Sequence, residues 1–169
     1  GPGRLGRLRG TNTSHSRFFW GLRLHLIATP AGLPVAWAVT SPSQDEREVL
    51  RSMLEHLATT GAHTIITDKG YRSADLEDDL NQAGLTLLRP AARNEAPRPG
   101  AGLLRPLRQR IESVFDTLKG QLDLEGHGAC TPAGVCSHIA QRILALTAAI
   151  WHNDNTSNPH LRSLTPYDH

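Results

Sequence analysis

The sequence predicts one α/β domain, and three observations support that fold class. The chain has 169 residues, which is enough for one domain with a hydrophobic core and too few for two. Apolar and polar residues alternate from Phe19 to Ile27 and recur as a strand-like run in residues 33–40, a pattern typical of β-strands. Residues 43–88 then change between helical and strand-like spacing. The predicted order of elements up to residue 88 is β-β-α-β-α-β.

The first two strands are predicted to form a hairpin, because the turn sequence "TPAG" separates them at residues 29–32. Ser43 or Asp45 can cap the following helix, in which apolar residues from Val49 to Leu57 recur at helical spacing. A short strand, residues 63–67, then ends at an acid. Ser73 is the predicted cap of a second helix, and "LTLL" at residues 85–88 is the next strand.

The second half of the chain is predicted to be helical. Residues 90–102 are rich in Ala, Pro, Arg and Gly, which indicates a mobile basic loop. An apolar stripe predicts a helix over residues 104–124, and Thr131 with Pro132 begins a last helix. We expect a disordered lead-in (residues 1–14), one catalytic-type domain (15–152) and a flexible tail (153–169).

The charge pattern points to nucleic acid. Basic and acidic residues are nearly balanced, 18 against 16, but 16 of the basic residues are arginine, whose planar guanidinium suits phosphate oxygens. One stretch has a local excess of arginine with Glu95 as its only acid, and we expect it to contact DNA. Its arginines are Arg89, Arg93, Arg98, Arg105, Arg108 and Arg110.

Two cysteines do not provide a disulfide framework, which fits a reducing compartment. No apolar run approaches the roughly 18 residues that a membrane span needs, and no signal peptide begins the chain. We therefore expect a soluble, cytoplasmic protein without a membrane partner.

The apolar run that ends at Asp68 suggests a site. Asp68 is followed at once by Lys69, Gly70 and Tyr71, and Asp-x-Gly is ordinary turn chemistry. An acid at the carboxyl end of a buried strand is also where α/β sheets place their chemistry. Both interpretations of Asp68 are open on this observation alone.

A second candidate group lies on the helix predicted over residues 104–124. At 100° per residue, Arg108, Glu112 and Lys119 fall within about 40° of one another, beside the apolar stripe. An ordinary surface pair four residues apart explains Arg108 and Glu112 equally well.

Together these motifs resemble a known family. "TDKGYRS", followed by Arg108, three residues, Glu112, six residues and Lys119, resembles the bacterial insertion-sequence DDE transposases with a Tyr-x2-Arg-x3-Glu-x6-Lys signature. The segments "FFWGLRLHLIATPAGLPVAWAVT" and "SPSQDEREVL" are similar to the same family. The resemblance extends over residues 15–152.

The resemblance implies an RNase H-like fold, a mixed sheet flanked by helices, in which three acids hold two Mg²⁺ or Mn²⁺ ions. It identifies Asp68 and Glu112 as the second and third acids, both metal ligands. It further implies that Arg108 and Lys119 bind phosphate and that Tyr71 is close enough to touch substrate. The implied partners are double-stranded DNA, at the element ends and the target, and a second copy or a full-length transposase.

Two positions depart from the family pattern. Arg105 occupies the place of the signature tyrosine, and no Asp or Glu precedes Asp45, so the first acid is missing. In the implied fold that acid lies on the first, central strand, between the hairpin and the Asp68 strand. We therefore expect a truncated catalytic-domain fragment that is inactive alone.

Two other interpretations stay open. One is a non-catalytic DNA-binding or dimerising fragment that regulates an intact transposase. The other is an unrelated α/β domain in which Asp68 and Glu112 have structural roles.

Overall fold

The computed structural model describes residues 16–19, 21–57 and 63–164, with side chains from residue 21 onward. The lead-in predicted for residues 1–14 and the end of the predicted tail, 165–169, lie outside this range. The strands are β1 (Ser16–Phe19), β2 (Leu22–Ala28), β3 (Pro34–Thr40), β4 (His63–Ile66) and β5 (Leu85–Leu88). The helices are α1 (Glu46–Glu55), α2 (Ala74–Gln82), α3 (Ala101–Asp116) and α4 (Pro132–Asn155).

The first sheet is an antiparallel meander in the order β1-β2-β3. The sequence predicts one strand from Phe19 to Ile27, and this prediction was wrong because the chain reverses direction between Phe19 and Leu22. Gly21 has a φ of 77° there, a conformation that glycine adopts without steric cost. The alternation of apolar and polar residues continues across this short turn, so sequence spacing alone does not reveal the reversal of the chain.

The second sheet has two parallel strands, β4 and β5, connected through α2. Ser73 caps α2 as predicted, since its Oγ accepts a hydrogen bond of 3.3 Å from the backbone N–H of Leu76. Among the described strands, β4 and β5 do not pair with β1–β3. The mixed sheet expected from the resemblance is thus divided in two, and the finer RNase H-like arrangement stays a prediction.

Two hydrophobic clusters hold these elements together. The first unites β2 with α3 and α4, through residues such as Leu24, Phe115 and Leu146. The second unites α1, α2 and β5 and contains Tyr71 and Leu76. Each sheet therefore packs mainly against one cluster, although Ile27 of β2 also packs against the second. The space between β2 and β4 lies where the two clusters meet.

α3 begins three residues before the predicted start and ends as a regular helix at Asp116. Residues Thr117–Gln121 form a π-turn, whose wider spacing ends the 100° periodicity assumed for Lys119. α4 begins after Thr131, whose Oγ1 accepts from the N–H of Gly134 at 3.1 Å. α4 is long and apolar enough to cross a membrane by length and composition alone. One of its faces is packed in the first cluster.

The segment after α4 is held in place by Asn153, which is 1% exposed. Its Nδ2 donates to the backbone carbonyls of Leu161 at 3.0 Å and Ser163 at 2.8 Å. Its own carbonyl accepts from the N–H of Asn158 at 2.8 Å. The predicted tail boundary at residue 153 therefore falls inside α4, and residues 156–164 fold back over its end.

Candidate active-site groove

A groove with a cavity volume of about 160 Å³ lies between β2, β4 and α3. Consecutive residues of both strands line it, 25–29 on one side and 64–68 on the other. Because successive side chains of a strand point to opposite faces, a cavity that touches consecutive residues runs along one side of the strand. Among the described strands, β2 pairs with β1 only as far as His25, so residues 26–28 pair with β3 alone. We call it the β2–β4 groove.

Asp68 lies at the end of β4 and lines the groove. Its Oδ1 accepts a hydrogen bond of 2.8 Å from the N–H of Gly70 and so caps the single turn Lys69–Tyr71. Within the described part of the chain, its Oδ2 accepts no hydrogen bond. Asp68 therefore has the structural role in a turn that its sequence pattern allows. Its second carboxylate oxygen is available to a ligand.

Glu46 is a second acid near Asp68 that the sequence did not indicate. A Cβ at Gly70 would lie 3.0 Å from Asp68 Oδ1, a tight contact, and 3.8 Å from Glu46 Oε2, so both carboxylates lie next to this turn. Glu46 also forms an ion pair with Arg23 on β2. Burial raises the pKa of Glu46, Arg23 lowers it, and the charge of Asp68 raises it again. No sequence spacing links positions 46 and 68, since only folding brings α1 to the end of β4.

Tyr71 is 5% exposed and packs in the second cluster, while part of it lines the groove. Burial raises the pKa of its phenol well above the usual value, and the nearby Glu46 and Asp68 raise it further. The structure therefore makes Tyr71 a wall of the groove, with little surface left for a DNA contact.

α3 brings Arg108 to the groove opposite Asp68. Arg108 Nε donates to Glu112 Oε1 at 3.1 Å, and both side chains are about half exposed. Glu112 does not itself line the groove, and its link to the groove is the ion pair with Arg108, which does line it. Lys119, in the π-turn, forms an ion pair of 2.6 Å with Glu125 and lies outside the groove lining.

Two of the predicted DNA-contacting arginines are committed to ion pairs. Arg89 is 4% exposed and donates to Glu77 and Glu95, each at 2.8 Å. Arg98 bridges the same two acids at 2.7 Å. Hydrogen bonds from Arg89, from the Ala92 N–H and from Arg98 hold the pKa of Glu95 far below its usual range. These contacts fix the basic loop to α2.

The other arginines of this stretch are exposed. Arg93 lies on the basic loop, and Arg105 and Arg110 lie on α3. Arg110 also lines the groove. These three, with Arg108, are the arginines that the fold leaves accessible to a phosphate backbone.

Two buried polar atoms of groove-lining residues have no hydrogen-bond partner, His25 Nδ1 and Thr67 Oγ1. His25 Nε2 lies 3.0 Å from Thr40 Oγ1, which also lies 3.2 Å from the Ser41 carbonyl. In the tautomer in which Thr40 donates to that carbonyl, His25 Nε2 carries the proton and donates it to Thr40. His25 Nδ1 is then an unused acceptor. Burial, helped by the charge of Arg23, lowers the pKa of His25 to about 4, which keeps the ring neutral. These atoms suit an occupant with polar groups, such as a backbone.

The described residues do not complete a metal site by themselves. The carboxylates of Asp68 and Glu112 have the oxygen donors that Mg²⁺ and Mn²⁺ prefer. However, no group of three or more Asp, Glu, His or Cys side chains is placed to hold an ion within the described ranges.

Comparison with protein families gives one match, to the model described as a transposase DDE domain, over residues 7–130. The matched range contains both sheets, α1, α2 and α3 and the whole candidate groove, and it ends before α4. Comparison with curated proteins and with solved structures gave no significant match.

Proposed function

Because the chain belongs to the transposase DDE domain family, we propose that it is the part of a DNA transposase catalytic domain that carries the second and third acids, Asp68 and Glu112. Members of this family act on DNA and generally depend on a divalent metal. The finer proposal, from the sequence resemblance, is a bacterial insertion-sequence enzyme of the Tyr-Arg-Glu-Lys type that cuts element ends and joins them to target DNA.

The β2–β4 groove is the observation that carries this proposal. Asp68 and Arg108 line it from two elements, and it is bordered by β4 and by residues 26–28 of β2, which pair only with β3 among the described strands. A strand inserted there would join the sheets, and one of its backbone N–H groups could donate to His25 Nδ1. In the fold implied by the resemblance, this is the place of the strand with the first acid.

Residues 1–44 contain neither Asp nor Glu, so these residues cannot supply that acid. Two carboxylates are fewer than the three that the resemblance implies. We therefore propose that the 169 residues bind DNA but do not transfer strands alone.

The chain's own residues would mainly position DNA. Divalent ions held by Asp68, Glu112 and a further acid would neutralise charge on the phosphate and activate the attacking hydroxyl. Arg108 would bind a phosphate oxygen at the groove, and the exposed Arg93, Arg105 and Arg110 would bind the flanking backbone. Phosphoryl transfer depends on such positioning more than on covalent chemistry by side chains.

The test is nicking of a supercoiled plasmid that carries the element encoding this chain, with Mg²⁺ or Mn²⁺. We expect no nicking by the 169 residues. We expect nicking when the in-frame upstream sequence adds a strand that ends in Asp. In that longer protein, Asp68→Asn should abolish nicking, and Asp78→Asn, the same change at an exposed acid of α2, should not.

Metal-dependent nicking by the 169 residues, lost in Asp68→Asn, would contradict the proposed inactivity. The missing first acid also favours a second function, regulation of an intact transposase. That function predicts that the chain lowers transposition by a full-length copy in the same cell.

A further inference from the structure

Arg162, beyond α4, lies against the end of α3 and the turn between β2 and β3. Its Nη2 donates to Ser113 Oγ at 2.9 Å. A Cβ at Gly32 would lie 3.1 Å from Arg162 Cδ and 3.0 Å from Val114 Cγ2, so only glycine leaves room for this packing. Gly32 also has a φ of 90°, which favours glycine by itself.

This position is built into the fold. Asn153 binds the carbonyls on both sides of Arg162, at Leu161 and Ser163, and is itself almost fully buried. The hydrogen bonds of Asn153 therefore fix the position of the segment that carries Arg162 against the end of α4.

The charge around Arg162 is not balanced. Its Nη1 is buried and has no hydrogen-bond partner in the part of the chain that the structure describes. Burial lowers the pKa of Arg162, and the positive charge of the nearby Arg110 lowers it further. Neither arginine forms an ion pair with an acid of residues 21–57 or 63–164.

Such an arrangement is unfavourable without an anion. A buried donor without a partner is unfavourable, and two like charges that are close together repel each other. Arg110 lies one turn before Ser113 on α3, and Arg162, which contacts Ser113, is partly exposed as a residue although its Nη1 is buried. A phosphate group beside the two guanidiniums would neutralise both charges and accept hydrogen bonds from their accessible N–H groups. Arg110 can meet such a group because it is exposed and lines the groove.

We propose that Arg110, which lines the β2–β4 groove, forms a phosphate-binding site beside the groove with Arg162 and the Ser113 hydroxyl, and that the DNA backbone is its ligand. The DNA part rests on the proposed function, whereas the phosphate site can be tested separately. Arg162 lies outside the range matched by the family model and in a segment that the sequence predicts to be a tail.

The first experiment uses inorganic phosphate as the probe and thermal unfolding as the readout, against chloride at equal ionic strength. Phosphate should raise the melting temperature of the unchanged chain. It should raise it much less in Arg110→Ala and Arg162→Ala. The control is Arg51→Ala, because this guanidinium is already paired with Glu48 and Asp79. Equal rises in all four proteins would overturn the proposal.

Arg110→Ala removes an exposed side chain and should leave the fold intact, so the test remains decisive even if Arg162→Ala unfolds. Arg162→Lys keeps the charge but loses the fork of donors, and we expect only part of the phosphate effect to remain.

The second experiment measures binding of a fluorescent DNA duplex over a range of salt concentrations. Each of Arg110→Ala and Arg162→Ala should reduce the slope of log Kd against log salt by about 1, and Arg51→Ala should not. Unchanged slopes with intact DNA binding would refute the DNA contact at this site and leave the proposed function standing. No DNA binding by any protein, with phosphate stabilisation present, would refute the proposed function and leave the phosphate site.

Discussion

At the scale of single residues, the molecule uses several side chains differently from their sequence pattern. Asp68 serves a turn and still presents an open oxygen to the groove. Arg89, predicted to contact DNA, is buried between Glu77 and Glu95. Burial and partner choice, which depend on distant parts of the chain, decide between these roles.

His25 should make stability depend on pH. The folded ring has its pKa lowered from 6.5 to about 4, so between these values the unfolded chain binds more protons than the folded one. Stability should therefore fall as pH decreases from about 6.5 to about 4, by about 2–3 kcal/mol in total for this residue. Urea unfolding at several pH values measures it.

The comparison variant is His25→Gln, which can still donate to Thr40 but does not titrate. The difference between the unchanged protein and His25→Gln should shrink as pH falls through this range. A parallel profile for His25→Gln would show that folding does not lower the pKa of the His25 ring.

Substitutions of Arg89 and Arg93 should affect different properties, the first stability and the second DNA binding. Arg89→Ala leaves two carboxylates without their buried partner and should reduce the free energy of unfolding by about 3 kcal/mol. Arg93→Ala changes an exposed residue, so stability should be unchanged and DNA affinity lower. Urea unfolding and duplex binding at low salt measure the two effects. If Arg89→Ala were as stable as Arg93→Ala, the ion pairs would not hold the loop.

At the scale of elements, the interruptions of regular structure matter most. The π-turn after α3 changes the winding just before Lys119, which forms an ion pair with Glu125, whereas Arg108 and Glu112 pair with each other on the regular helix. The reversal at Gly21 divides one predicted strand into two. Periodicity detects a regular helix or strand, but it does not detect a one-turn change of winding.

The end of α4 gives a prediction at this scale. Asn153→Ala removes the donor that holds the carbonyls of the following segment and should cost about 1–3 kcal/mol of unfolding free energy. Limited proteolysis should then cut residues 156–164 faster. Asn155→Ala, at an exposed position two residues later, should change both properties little. Equal protease resistance of the two variants would contradict the anchoring role of Asn153.

At the scale of the whole molecule, two small sheets with separate cores border one groove. The groove brings together the end of β4, residues 25–28 of β2 and one side of α3, which are far apart in sequence. Its unpartnered atoms, His25 Nδ1 and Thr67 Oγ1, indicate a fold that gains stability when a polar segment fills this space.

Thr67→Val tests that view of the groove. The hydroxyl is buried without a partner, so an apolar group of the same shape should stabilise the chain by about 1 kcal/mol. Thr86→Val, at an exposed position of β5, controls for the strand preference of valine. In the longer protein with the added strand, the gain at position 67 should vanish. Loss of stability in Thr67→Val alone would mean that the hydroxyl already has a partner.

The sequence by itself determined the α/β class, most element positions and the family, because periodicity, caps and the "TDKGYRS" motif are local features. The tertiary structure decided which side chains meet. Glu46 beside Asp68, Arg162 near Arg110, and the burial of Arg89 each depend on contacts between elements distant in the chain. The division into two sheets has the same origin, since strand pairing is a long-range interaction that local spacing does not encode.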